Sequence, residues 1–148
     1  MKPKLALAIL LLVTACSSGS TTQSGNMETL LLRLEQRGTI FFGGGYTAPA
    51  NLQIDLTNMT NDPVTLVRVG VTTPGMAQYS LQPISRTFNE EIAPKETKSY
   101  PLFGTAQTSI YRLRVSEPLV ARVIVELERN GKRFREIAIV HADSELTR

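Results

Sequence analysis

The chain has 148 residues, 42% hydrophobic and 20% charged, with one Cys, one His and no Trp. That length fits one domain, and the apolar share is too high for a disordered chain. A single Cys excludes a disulfide framework or a cysteine zinc cluster within the chain, and a single His excludes any site that needs two.

Residues 1–15 read as a processing signal. Lys2 and Lys4 are followed by nine apolar residues from Leu5 to Val13, then Thr14, Ala15 and Cys16. A membrane-spanning helix needs about 20 apolar residues, so this run has the length of a signal-peptide core instead. Val13-Thr14-Ala15-Cys16 resembles the lipobox of bacterial lipoproteins. The resemblance covers residues 1–16 and implies cleavage before Cys16, a thioether-linked lipid on its sulfur and an acylated new amine. Several acyl chains bury enough methylenes, at about 0.8 kcal/mol each, to anchor a domain stably. Ser17 stands where an Asp would resemble an inner-membrane retention signal, so the resemblance favours the outer membrane, facing the periplasm. A plain secretory signal with an incidental cysteine is the alternative.

Lys2 and Lys4 leave with the signal, so the mature chain carries 14 basic against 13 acidic side chains. A near-neutral chain gives no support for bulk nucleic-acid binding. The segment 16–26 is expected to be the lipidated Cys and a flexible linker, since Ser17 to Asn26 holds no apolar and no charged residue. Ten such residues span roughly 17 Å, which keeps the following domain, residues 27–148, close to the membrane.

From Met27 onward, short alternating apolar runs are separated by turn residues. Leu30, Leu32 and Leu34 share one face of a strand over 29–37; a short helix is the alternative, because Leu, Glu, Gln and Arg are good helix formers. Thr39 to Phe42 continues β-rich up to Gly43-Gly44-Gly45. Leu52, Ile54 and Leu56 mark the next strand, and Asn58 to Pro63 a turn. Val64 to Val71 is β-branched and central. Pro74-Gly75 turns the chain. A strand over 79–88 is interrupted by Pro83, which confines it to an edge or a bulge. Ala93-Pro94-Lys95-Glu96 turns into a strand over 97–103, and strands over 110–115 and 119–127 follow.

Asn130-Gly131 is the sharpest local signal, because type I′ turns need positive φ at both central residues. A two-residue loop pairs Arg129 with Lys132, Glu128 with Arg133, Leu127 with Phe134 and Glu126 with Arg135. Val125 then faces Glu136, a poor pair, and a bulge near Glu136 is expected to return Ile137 and Ile139 to the core. Seven to nine strands without a long helix predict an all-β, two-sheet antiparallel β-sandwich, and the resemblance that follows implies an immunoglobulin-like one. Leu56 to Thr60 before Pro63-Val64, and Ile92 to Glu96 before Tyr100, resemble bacterial extracytoplasmic immunoglobulin-like modules. This resemblance covers residues 51–127, and the Cys–Trp–Cys core of antibody domains is missing from it.

The chemistry-bearing residues are few. His141 and Asp143, at i and i+2 on a strand, form a candidate base and orienting carboxylate, but no nucleophile-elbow motif accompanies them. The three glycines suggest a phosphate cradle, yet Tyr46-Thr47-Ala48-Pro49 follows where a helix N-terminus is required. Glu90-Glu91, with Asp62 or Glu96, lacks the spacing of a calcium loop. Met27, Met59 and Met76 are too scattered to ligate copper. No cofactor and no metal are expected. The remaining feature is basic: Arg129, Lys132, Arg133 and Arg135 crowd the hairpin tip, with Arg112, Arg114 and Arg122 expected nearby. They are candidate contacts for anionic headgroups or an acidic partner, or else a solvated face that guards an edge strand. The reading is a non-catalytic lipoprotein that binds a protein or envelope polymer. A hydrolase using His141 is the alternative, as is a carbohydrate-binding module using Tyr46, Tyr79 and Tyr111.

Overall fold

Period-two burial runs through the computed structural model, which describes residues 25–75, 78–110 and 118–144. The signal segment, Cys16, Met76, Tyr111, Arg112, Arg114 and nearly all of the strand expected over 110–115 lie outside the described residues. Leu30, Leu32 and Leu34 are buried, so the segment over 29–37 is a strand and not a helix. Each such leucine contributes about 1.5–3 kcal/mol on burial.

Among the described residues ten strands form: β1 (Gly25–Asn26), β2 (Leu30–Gln36), β3 (Thr47–Asn58), β4 (Val64–Thr72), β5 (Ser80–Leu81), β6 (Ile84–Ile92), β7 (Thr97–Gln107), β8 (Val120–Arg129), β9 (Lys132–His141) and β10 (Asp143–Ser144). They make two sheets. One runs β1-β2-β3-β7-β5, with β10 on the edge of β2; the other runs β6-β4-β8-β9. Apart from the two-residue parallel contact of β10 with β2, every pairing is antiparallel. The chain is therefore an immunoglobulin-like antiparallel β-sandwich, with its core between the sheets. Seven strands are long, and the three short ones patch sheet edges.

Several local expectations change. Pro83 does not sit inside one strand but where the chain changes sheets: β5 edges the first sheet and β6 edges the second. A residue without an N–H cannot donate to a ladder, and the crossing asks for no such bond. Residues 39–42 make a single bridge at Phe41; Ile40 and Phe42 are core anchors of a loop. Gly25 and Asn26, expected in the linker, pair with Leu32 and Leu31, so paired structure includes two residues ahead of Met27.

The bulge expected near Glu136 is absent. The β8–β9 register runs unbroken from Val120↔His141 to Arg129↔Lys132. Ala138 and Val140 fill the core face, while Ile137 and Ile139 point outward, 57% and 63% exposed. Glu136 stays on the inner face at the open flank of the sandwich. Its carboxylate accepts the backbone N–H groups of Thr29 (2.7 Å) and Leu30 (3.3 Å), which satisfies the charge and staples the two sheets. The bulge lies instead in β4, where Val67 is the extra residue opposite β8.

Candidate binding surfaces

The Asn-Gly hairpin forms as its residues require. Asn130 and Gly131 have φ of 53° and 72°, the left-handed pair of a type I′ turn. The expected facing pairs are the observed ones, from Arg129↔Lys132 to Glu126↔Arg135.

The tip is less uniformly basic than its composition suggests. Arg133 Nε donates to Glu128 at 3.0 Å. Arg135 Nε lies 2.7 Å from Glu126. A third arginine, Arg68 of β4, grips the same Glu126 with two hydrogen bonds of 3.0 and 2.6 Å. Those bonds, more than the charge of Arg135, hold the Glu126 carboxyl below its usual range. Arg129 and Lys132 form no ion pair among the described residues. The Arg129 guanidinium sits 5.8 Å above the Phe134 ring, a cation–π contact. Two recesses adjoin that ring, of about 400 and 440 Å³; Glu28, Thr60 and Glu136 border the first, Lys132 and Arg133 the second.

Arg122 does not join this group. It pairs with Ile139 and Thr72, six residues along β8 from Glu128, roughly 20 Å away. Sequence reasoning missed Arg68 and Phe134. The hairpin register already placed Phe134 opposite Leu127, but nothing local relates β4 to β8.

The remaining candidates separate. His141 closes β9 in one sheet, whereas Asp143 opens β10 in the other, with buried Ala142 between them. Asp143 accepts Arg33 Nε at 2.9 Å, so its carboxylate orients an arginine and not the imidazole. Same-face reasoning fails here because the strand does not continue past His141. Gly43 to Gly45 form a bend between β2 and β3, with no helix after them. Glu96 caps its own turn by accepting Ala93 N–H at 2.7 Å, while Glu90 and Glu91 lie on edge strand β6. Among the described residues, no three His, Cys, Asp or Glu side chains converge on a point that would hold a metal.

No family model matches the chain, and no curated protein does. Among solved structures, Northeast Structural Genomics Consortium target SoR45 superposes with a TM-score of 0.50 and 11% identity over 82% of this chain and 88% of that chain. That likeness is one of fold. A FixG-related protein from Vibrio parahaemolyticus aligns at a TM-score of 0.38 and 12% identity, covering 80% of this chain and 98% of its own, and carries no argument.

Proposed function

We propose that the chain is a bacterial envelope lipoprotein that works by binding and not by catalysis. Cys16 holds it to a membrane, with the outer membrane facing the periplasm favoured, and the hairpin tip docks an acidic segment of a protein partner. The observation that supports this reading is the placement of Arg129 and Lys132, outside any ion pair among the described residues, beside half-buried Phe134 and its two recesses. An aromatic ring flanked by cations offers an apolar anchor and charge steering in one patch.

The test is crosslinking and pull-down from envelope fractions. Arg129→Glu with Lys132→Glu should weaken partner capture about tenfold and remove most of its salt dependence. These two positions are cleaner probes than Arg133 and Arg135, whose reversal also breaks pairs with Glu128 and Glu126. His141→Ala should leave capture unchanged. Loss of activity in His141→Ala, with the charge-reversed tip intact, would replace this reading with a hydrolase.

A further inference from the structure

At the end of the sandwich opposite the hairpin, three segments converge. The β2–β3 connection ends at Tyr46, the β4–β5 connection supplies Gln78 and Tyr79, and β7 runs out through Gln107 to Ser109. They border an open recess of about 530 Å³, within the roughly 300–1,000 Å³ typical of small-molecule sites. Its walls are fastened to one another. Thr108 N–H donates to Tyr46 O at 2.9 Å, and Thr108 Oγ1 donates to Gln78 O at 2.7 Å. The floor is Tyr79, buried, with its ring 6.1 Å from Phe42 of the core. The rim is Tyr46, 57% exposed.

We infer that this recess binds a neutral saccharide. None of the described side chains that line it is charged, so an ionic ligand would lose water without meeting a counter-charge from them. A purely apolar ligand would cover carboxamides and hydroxyls that it cannot hydrogen-bond. A sugar ring answers both halves of the lining. Its hydroxyls each donate and accept, as do the carboxamide of Gln107 and the hydroxyl of Ser109. Its C–H face packs on an exposed aromatic ring such as Tyr46, which carries a polar tip of its own. The Thr108 bonds fix the walls beforehand, so binding orders little and loses little entropy. This site is independent of the hairpin tip and goes beyond the reading above.

The experiment is saturation-transfer NMR on the purified protein in detergent micelles. The probes are the trisaccharides of glucose, mannose, galactose and N-acetylglucosamine, with trialanine as the peptide control. At least one trisaccharide should bind. Tyr46→Phe should keep that binding, Tyr46→Ala should weaken it tenfold or more, Gln107→Ala should weaken it several-fold, and Lys132→Glu should leave it unchanged. Melting curves of the Tyr46 and Gln107 variants matching the parent establish that the walls still stand. No binding of any of the four sugars overturns the inference. So does binding that survives Tyr46→Ala, or trialanine competing as well as the sugar.

Discussion

Asn58 is the side chain whose loss should be felt most widely for its size. It is fully buried at the end of β3, and all four of its hydrogen-bonding positions are used. Nδ2 donates to Asp62 O at 2.8 Å and Ile92 O at 3.1 Å. Oδ1 accepts Thr60 N–H at 2.9 Å and Thr60 Oγ1 at 2.8 Å. Its backbone adds two more bonds, to Glu96 O and from Lys95 N, so one residue joins the turn over 58–63 to the turn over 93–96. A typical bond contributes about 1 kcal/mol net, and a buried group left unpaired costs about 1–3 kcal/mol. Water can reach Thr60 and Asp62 after truncation, but not Ile92 O as readily. Asn58→Ala should therefore cost about 3 kcal/mol, a large share of the roughly 5–15 kcal/mol of a small domain. In a domain of this size that lowers Tm by roughly 10–12 °C. Asn58→Asp sharpens the test. It keeps the bonds from Thr60 but turns a carboxylate oxygen toward two carbonyl oxygens. The folded-state pKa of the new carboxyl should then rise above the unfolded value of about 3.9. The variant's deficit relative to the parent is smallest below that unfolded value and grows as pH rises through the folded one. Equilibrium urea denaturation at pH 3 and pH 7 measures both. A loss below about 1 kcal/mol for Asn58→Ala, or an Asn58→Asp deficit equal at the two pH values, would refute the argument.

Three other outcomes are expected. Gly131→Val places a β-branched residue at a φ of 72° and should cost about 1–3 kcal/mol, read as a lower urea midpoint with unchanged slope; an unaltered midpoint counts against the type I′ turn. Tyr100 is buried against Phe88, at a ring distance of 4.6 Å, and burial, with Glu90 and Glu96 adding to it, pushes its phenol up to about 12. Its raised pKa contributes stability that is present below pH 10 and lost as pH rises towards 12, so Tyr100→Phe should flatten that alkaline limb in a Tm-against-pH series. Cys16→Ala should abolish labelling by radioactive palmitate and either release the mature domain from membranes or stop its processing; a wild-type chain that takes up no label defeats the lipoprotein proposal.

Much of the fold was legible because strands repeat every two residues. Leu30, Leu32 and Leu34 alternate with Leu31, Arg33 and Glu35, and that pattern alone separates a core face from an outer one. Asn130-Gly131 was legible for a more local reason: few dipeptides accept two successive positive φ values, and a two-residue turn dictates every pair behind it. Pro83 announced an interruption, since a missing N–H is a property of the residue itself. Contacts made across the sandwich were not legible. Glu136 looked misplaced because a charge facing the core is costly, and only the approach of β2 supplies the Thr29 and Leu30 N–H groups that satisfy it. With Glu136 satisfied, no bulge is needed, and Ile137 and Ile139 remain outside. His141 and Asp143 looked like neighbours because i and i+2 share a face of one strand, but the chain changes sheets at Ala142 and gives Asp143 to Arg33. Local backbone preference and periodicity are carried by adjacent residues, so the sequence by itself determined most of the long strands, the hairpin and the sandwich class. Which charge meets which, and which walls close a recess, depends on segments 30 to 110 residues apart, such as Gln78 with Thr108 and Arg33 with Asp143, and only the tertiary structure decided those.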